Sequence, residues 1–195
     1  MLRIGLTGNI GSGKTLVSRI FNTLGIGVFN ADIETKNLYF ENTIKDDLCK
    51  MFGHNILNNN NIVDLKKLGN IVFNDKSKLA ELTSYIHPKV VSKYDAWTKT
   101  QIGKPFCIHE SAIIFEYSLE NKFDKIICVS APYDLRLQRV LKRDKSKRPE
   151  VEIKMKNQLD EKIKVVKSDY VIINDGKEFI IPQVVEIHKH LINLV

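Results

Sequence analysis

Eight consecutive residues, from Gly8 to Thr15, have the types and spacing of a phosphate-binding loop. They read Gly-Asn-Ile-Gly-Ser-Gly-Lys-Thr and satisfy the pattern G-x-x-x-x-G-K-[ST] in full. Glycines let the backbone curl so that successive N–H groups point at phosphate oxygens. Lys14 can bridge the β- and γ-phosphates, and the Thr15 hydroxyl suits Mg²⁺. The residues predicted to bind the nucleotide here are Gly8, Gly11, Ser12, Gly13, Lys14, Thr15 and Leu16.

Two carboxylates follow apolar runs and could face the same site. Asp32 comes just after the run 27–30, and Glu110 ends the run that begins at Phe106. Ligands of open α/β sheets bind at the carboxyl ends of the strands. Asp32 could therefore accept the proton of a hydroxyl that attacks the γ-phosphate, or it could cap the next helix. Glu110 could contact Mg²⁺ or its waters, or could serve as a cap or turn residue.

Two arginines, Arg139 and Arg143, are spaced i, i+4, which puts them on one helical face. Together they could oppose the charge of a transferring phosphoryl group. The alternative is a solvated face with an Arg–Asp pair. The basic run 142–148 and the helix-compatible segment 150–166 predict a lid that closes over the nucleotide.

Short apolar runs alternate with helical patterns along the chain. The runs are nearly continuous rather than alternating, which is typical of strands covered on both faces. The pattern predicts an α/β fold with a parallel sheet flanked by helices on both faces, of the P-loop type. The predicted strands are Leu2–Thr7, Gly27–Asn30, Phe106–His109, Ile126–Ser130 and Tyr170–Asn174.

One long segment interrupts this alternation. Residues 38–104 contain helical patterns and no clear strand, which predicts a helical insertion between residues 1–37 and 105–195 of a nucleotide-binding core. The predicted lid covers about residues 143–166 of that core. Within the insertion, a lone His87 is more often structural than a ligand, and Pro88 predicts a helix start.

Composition narrows the class of protein. The net charge of +7 arises from 30 basic and 23 acidic residues, a balance that fits a small polyanionic substrate or nucleic acid. Aromatic residues interleaved with basic ones, typical of single-strand binding, are not evident.

The three cysteines are dispersed, which argues against zinc and disulfides. No signal peptide or membrane span is predicted, so the expectation is a cytoplasmic protein.

A GTPase would normally carry D-x-x-G after a later strand, and that tetrapeptide is absent from the sequence. A guanine-binding N-K-x-D pattern does occur, at Asn121-Lys-Phe-Asp124. It precedes a predicted strand rather than following one, so we interpret it as a turn.

Together these motifs resemble dephospho-coenzyme A kinase, and the likeness extends from Ile4 to Gly176. Besides the phosphate loop and Asp32, the residues that carry it are Ile86-His87-Pro88, Ile113-Ile-Phe-Glu116, Gln138-Arg139-x-x-x-Arg143-Asp144, Gln158 and Ser168-Asp-Tyr-Val-Ile-Ile-Asn174-Asp-Gly176. The resemblance implies ATP-dependent phosphorylation of the 3′-hydroxyl of dephospho-coenzyme A, with Mg²⁺ as cofactor. We further expect no nucleic-acid or membrane partner, and a monomer or weak homo-oligomer.

The resemblance also implies residue roles. Asp32 would be the general base, and Lys14, Arg139 and Arg143 would act on the phosphates. Asn174 would lie beside adenine, and the insertion, with His87, would hold the acceptor.

The chain departs from the family at several of these positions. The family commonly has D-A-D where this chain has Asn30-Ala-Asp32, and D-x-P-L-L-F-E where it has Glu110-Ser-Ala-Ile-Ile-Phe-Glu116. An arginine usually found shortly before the position of Gln158 is matched by Lys154, which would lose bidentate pairing. The alternatives are another small-molecule kinase, such as one for nucleoside monophosphates, or a nucleotide-gated protein that binds nucleic acid.

Overall fold

In residues 1–145 and 147–195, which the computed structural model describes, the strands form one five-stranded parallel sheet. They are β1 (Leu2–Thr7), β2 (Val28–Asn30), β3 (Phe106–Glu110), β4 (Lys125–Ser130) and β5 (Tyr170–Ile173), in the order β2-β3-β1-β4-β5. Every predicted apolar run forms a strand with bounds within one residue of those expected. The predicted parallel α/β fold is therefore confirmed.

Helices fill the connections between the strands. They are α1 (Lys14–Thr23), α2 (Ala31–Leu38), α3 (Asn42–Phe52), α4 (Leu65–Phe73), α5 (Lys76–Lys99), α6 (Tyr133–Asp144), α7 (Arg148–Lys156), α8 (Glu161–Lys167) and α9 (Ile180–Ile192). Short 3₁₀ turns occur at His54–Ile56 and Glu120–Lys122. Ser146, which belongs to the predicted basic run and lid, lies outside the described residues.

The main core lies between the sheet and two helices. Val17 and Phe21 of α1 and Leu191 of α9 are fully buried against strand residues such as Ile4 and Ile127. A smaller cluster around Ile114, Phe115 and Ile126 is also buried. Burial of an apolar side chain of this size contributes about 1.5–3 kcal/mol, so the near-continuous apolar runs account for this sheet.

The chain divides into two compact units. Residues 1–30 and 98–195 form the first unit, which contains the sheet, and residues 31–97 form the second. The second unit consists of helices with one isolated bridge between Leu57 and Val63. Its function as a holder of the acceptor stays a prediction.

The expectation that Pro88 starts a helix is wrong. Pro88 lies inside α5, which runs for 24 residues through it. A proline in a helix interior removes one backbone hydrogen bond and costs about 3 kcal/mol. The helix continues because one side of it is buried at every fourth position, namely at Leu82, Ile86, Val90 and Tyr94.

The helix-compatible segment 150–166 forms two helices rather than one. The break spans residues 157–160, where Asp160 caps α8 by accepting a hydrogen bond from the Lys162 N–H at 2.7 Å. An aspartate at the N-cap satisfies an otherwise unpaired helix donor. The four-residue linker between α7 and α8 is therefore an ordered turn.

The sheet order brings the chemistry-bearing residues of the first unit to one edge. The chain leaves the carboxyl end of central strand β1 into the phosphate loop, and β3 and β4 pair with β1 on either side. Glu110 ends β3, Asn30 ends β2 and Asn174 follows β5. Because all the strands are parallel, these residues meet at the carboxyl edge of the sheet.

Candidate active site

The phosphate loop joins β1 to α1 in a conformation that requires glycine. Gly8 and Gly13 have φ angles of 143° and 102°, values that side chains other than glycine rarely adopt. A Cβ at Gly13 would collide with the amide nitrogen of Asn174, and one at Gly8 with the carbonyl oxygen of Val129. The loop is therefore shaped by its surroundings as well as by its own glycines.

Lys14 is the first residue of α1 and is 8% exposed. Its ammonium donates a hydrogen bond of 2.9 Å to the carbonyl of Gly8, so the side chain folds back over the loop. The first N–H groups of a helix have no partner within it and, with the helix dipole, attract anions. The Leu16 N–H, by contrast, donates to the Gly13 carbonyl at 3.0 Å.

Glu110 is the centre of a hydrogen-bond network at the end of β3. Its carboxylate is 4% exposed and accepts from Thr15 at 3.2 Å, from Ser18 at 2.8 Å and from the Asn30 amide at 2.8 Å. Glu110 thus ties the ends of β2 and β3 to the start of α1. The reading of Glu110 as a plain cap or turn residue does not account for these three side-chain donors.

Ser18 and Asn30 are site residues that the sequence analysis did not assign. Ser18 lies three residues after Thr15, so both hydroxyls share one face of α1. That spacing was the available signal for Ser18. Asn30 stands where the family commonly has aspartate, and its amide is the hydrogen-bond donor that a carboxylate could not be.

Arg139 and Asn174 close the other side of the loop. The Arg139 guanidinium donates to the Asn174 carbonyl at 3.2 Å, to its side-chain oxygen at 3.0 Å and to the Gly11 carbonyl at 3.4 Å. The Asn174 amide donates to the Ser12 carbonyl at 2.6 Å. These contacts use three of the five N–H donors of a guanidinium.

A cavity of about 190 Å³ lies against the loop, and Gly13, Lys14, Thr15, Arg139 and Arg143 contribute to its walls. The predicted cationic residues of the first unit therefore surround one space. Arg143 binds Asp144 through two hydrogen bonds of 2.6 and 3.1 Å, and this pairing raises the pKa of the Arg143 guanidinium. Its side chain remains 63% exposed.

The two predicted acceptor residues belong to the second unit. Asp32 is exposed and is the second residue of α2, so it lies past the N-cap position of that helix. His87 lies on α5 and is half-buried.

The donor set near Thr15 fits Mg²⁺. Within residues 1–145 and 147–195, no group of three or more His, Cys, Asp or Glu side chains is arranged as a metal cage. Mg²⁺ does not need such a cage, because it is usually bound by one or two protein oxygens together with substrate phosphates and waters. The Thr15 hydroxyl and the Glu110 carboxylate, 3.2 Å apart, provide such oxygens.

His109 precedes Glu110 and carries no charge at neutral pH. It is 7% exposed and stacks on the Phe29 ring at a centroid distance of 5.5 Å. Burial, and secondarily the nearby Lys122 charge, lowers the pKa of His109 to about 4. A neutral, fixed ring is a packing element of the strand end.

The N-K-x-D pattern forms a turn, as predicted. Asn121 and Lys122 lie in a 3₁₀ turn, and the Asp124 carboxylate accepts a hydrogen bond of 2.6 Å from the Arg3 N–H. Arg3 is near the amino end of β1, opposite the end that leads into the phosphate loop. The motif therefore lies at the amino ends of the strands, opposite the candidate active site.

Comparisons with known proteins identify the relatives of this chain. The family model for dephospho-CoA kinase matches residues 2–179. A dephospho-CoA kinase from Fusobacterium nucleatum is 36% identical over 89% of each chain. Among solved structures, the Thermus thermophilus protein TT1252 aligns with a TM-score of 0.87 at 25% identity, covering 97% of this chain and 96% of that one. Dephospho-CoA kinase from Campylobacter jejuni aligns with a TM-score of 0.71 at 25% identity, covering 98% and 97%.

Of the helices in the described ranges, not one is both long and apolar enough to cross a bilayer.

Proposed function

The chain belongs to the dephospho-CoA kinase family, and from that premise we propose how its own residues carry out the reaction. It is an ATP-dependent kinase of coenzyme A biosynthesis that phosphorylates dephospho-CoA. The γ-phosphoryl group of ATP passes to the 3′-hydroxyl of dephospho-CoA, which gives coenzyme A and ADP in the final step of that biosynthesis.

The observation that carries the proposed mechanism is the cavity shared by Lys14, Thr15 and the two arginines. Phosphoryl transfer passes through a state whose charge is spread over the transferring oxygens, so fixed cations around that group lower the barrier. Lys14 binds the β- and γ-phosphates, and Arg139 and Arg143 approach from α6. The loop amides hold the remaining oxygens.

Mg²⁺ would be held by Thr15 and, directly or through a water, by Glu110. When bound, the ion neutralises phosphate charge and orients the triphosphate. Glu110 holds the Thr15 hydroxyl in place, and Ser18 and Asn30 orient the carboxylate through its other oxygen.

Asp32 is the proposed general base. It is two residues beyond Asn30, so covalent geometry keeps its Cα within about 7 Å of the Cα of Asn30. The Asn30 amide in turn binds Glu110, which binds Thr15. An exposed carboxylate at this point of the chain can accept the proton of the attacking hydroxyl and align it for in-line transfer.

The second unit, with His87, would bind the acceptor, and Asn174 would lie beside the adenine of ATP. A cavity of about 540 Å³ bordered by Asn174, Gly176 and Phe179 supports the latter assignment. We also propose a cytoplasmic location and a monomer or weak homo-oligomer.

The test is a coupled colorimetric assay of ADP release. The assay is run with dephospho-CoA, with a nucleoside monophosphate, and without an acceptor. Rapid ADP release only with dephospho-CoA is expected. Preference for a nucleoside monophosphate would favour a different small-molecule kinase. Acceptor-independent behaviour combined with strongly salt-dependent nucleic-acid binding would favour a nucleotide-gated binding protein.

A further inference from the structure

We infer that the ion pair between Glu116 and the fully buried Lys164 positions the phosphate loop by fixing the α7–α8 linker, residues 157–160. This linker is hydrogen-bonded to Asn9 and Ile10 of that loop. Glu116 and Lys164 act through the linker, so they are positioning residues and do not touch ATP.

The linker and the phosphate loop are joined by two hydrogen bonds. The Gln158 side-chain oxygen accepts from the Ile10 N–H at 2.7 Å, and the Asn9 amide donates to the Leu159 carbonyl at 3.1 Å. Asn9 and Ile10 lie between the first two glycines of the loop, where one turn bond of 3.0 Å, from the Ser12 N–H to the Asn9 carbonyl, is the loop's own backbone contact. The linker therefore braces the segment that must keep its N–H groups converging on the phosphates.

Apolar packing supports the same contact. Ile10 packs against a buried cluster formed by Leu137 and Val140 of α6 and by Val151 and Met155 of α7. The α7 helix and the linker that follows it thus contact the loop through both apolar and polar groups. A shift of the linker would carry the loop with it.

The linker is itself fixed by Glu116. The Glu116 carboxylate accepts from the Leu159 N–H at 3.0 Å, while the Leu159 carbonyl faces Asn9. Both backbone polar groups of Leu159 are therefore hydrogen-bonded, the N–H to Glu116 and the carbonyl to Asn9. One continuous path of hydrogen bonds leads from Glu116 through Leu159 to the phosphate loop.

Lys164 holds Glu116. Its side chain is fully buried, and its ammonium lies 2.6 Å from the Glu116 carboxylate and 2.7 Å from the Ala112 carbonyl. Ala112 and Glu116 both follow β3, so the lysine binds two points of one turn. The same carboxylate oxygen receives both the ammonium and the Leu159 N–H, which aligns the two donors.

Stability alone is a poor reason for this pair. Replacing a buried ion pair by apolar side chains is often neutral or stabilising, because desolvation offsets the attraction. A carboxylate does hold a backbone N–H in a shorter and stronger bond than a neutral acceptor does. The positioning of the linker through the Leu159 N–H is therefore a better explanation of the pair than stability alone.

The chain offers a matched control for this pair. Lys125 and Asp169 form an ion pair of 2.8 Å, and Asp169 also accepts from a backbone N–H, that of Ile126, at 2.8 Å. Lys125 begins β4, so this pair lies at the amino end of the strands, away from the phosphate loop. It has the same lysine–carboxylate–backbone N–H arrangement, in a more exposed place, without the connection to the loop.

Three variants of the full chain test the inference: Gln158→Ala, the double variant Glu116→Met/Lys164→Met, and the control double variant Lys125→Met/Asp169→Met. ATP affinity is measured by calorimetry, KM for ATP and for dephospho-CoA by the ADP assay, and unfolding by urea. Gln158→Ala and Glu116→Met/Lys164→Met should each weaken ATP binding and raise the KM for ATP by about tenfold, the equivalent of one hydrogen bond. The KM for dephospho-CoA and the ATP affinity of the control should stay within about twofold.

A selective loss of ATP affinity in folded protein supports positioning, since a purely structural pair would lower stability and leave affinity unchanged. Normal ATP affinity in folded Gln158→Ala or in folded Glu116→Met/Lys164→Met would overturn the inference, as would an equal loss in the control. If Glu116→Met/Lys164→Met does not fold, Glu116→Gln takes its place with the same two outcomes, because it removes the charge that pairs with Lys164 and keeps an acceptor for the Leu159 N–H.

Discussion

The two ends of the parallel sheet use carboxylates in different ways. At the amino ends of the strands, Asp124 and Asp169 accept backbone N–H groups, from Arg3 and Ile126. At the carboxyl ends, Glu110 accepts from three side chains, two of them hydroxyls of α1. Asp124 and Asp169 therefore complete the backbone hydrogen bonding at the amino ends, whereas Glu110 orients hydroxyls that can meet a ligand.

The largest expected effect at the carboxyl end comes from Lys14→Ala. The variant removes the ammonium group that folds back over the phosphate loop. The negative charge of the transition state then loses a fixed cation. Turnover in the ADP assay should fall by about 10²–10³-fold, while the circular dichroism spectrum stays that of the folded protein. Turnover near normal would show that Lys14 does not contact the transferring group.

Glu110→Gln and Asp169→Asn directly test the difference between the two ends of the sheet. The amide of glutamine has only one acceptor oxygen, so its NH2 group faces either Thr15 or the two donors Ser18 and Asn30, and the network that aligns Thr15 is broken in both cases. Turnover should fall by about 10–100-fold, which corresponds to a lost hydrogen bond to a charged group.

Asp169→Asn should instead lower the free energy of unfolding by about 1 kcal/mol, because a neutral acceptor replaces a charged one at the Ile126 N–H. Its turnover should stay within about twofold of the parent. Kinetics and urea unfolding on both variants check the pair of expectations, and the reverse pattern would contradict the comparison.

Asn30→Asp tests the hydrogen-bond network around Glu110 at the carboxyl ends of the strands. The Asn30 amide lies 2.8 Å from the Glu110 carboxylate, so an aspartate would bring two carboxylates together in a buried place. The variant should lose about tenfold in turnover and lose more than Asn30→Ala, which only deletes one hydrogen bond. Equal kinetics for the two variants would mean that the negative charge added at position 30 has no effect beyond the loss of the amide donor.

A further expected effect concerns stability and leaves turnover aside: burial lowers the pKa of His109 to about 4. The unfolded chain binds a proton near pH 6.5 and the folded chain does not, so this stability is complete above pH 6.5 and is lost as the pH falls toward 4. Between pH 7.5 and 5 the parent should lose about 2 kcal/mol from this group. His109→Leu should lack that loss, as measured by urea unfolding at both pH values; the same loss in both proteins would contradict it.

Local patterns were enough to predict the frame of the molecule. The strands could be predicted because each is an apolar run buried on both faces, and the phosphate loop because its glycines and Lys14 follow a fixed spacing. Likewise, the position of Asp124 before a strand indicated the turn that the structure contains.

Long-range pairings could not be predicted. Lys164 lies in the lysine-rich run Glu161–Lys167, a pattern typical of a solvent-exposed helix. It is nevertheless fully buried, with its ammonium paired to Glu116. The three donors of Glu110 come from residues 80 to 95 positions away in the chain. The choice at Glu110 between a contact to Mg²⁺ and a cap or turn could not be made from the sequence, because its three donors are distant in the chain. The interior position of Pro88 depends on tertiary burial of α5 in the same way.

The central claim is that a carboxylate beyond β2 aligns the acceptor while the phosphate loop holds ATP, and Asp32→Asn tests it most directly. The measurement is turnover with dephospho-CoA on protein whose ATP affinity is determined by calorimetry. We predict a turnover lower by at least about 100-fold, as for loss of a general base, with ATP affinity within about twofold. Near-normal turnover in that variant would contradict the account.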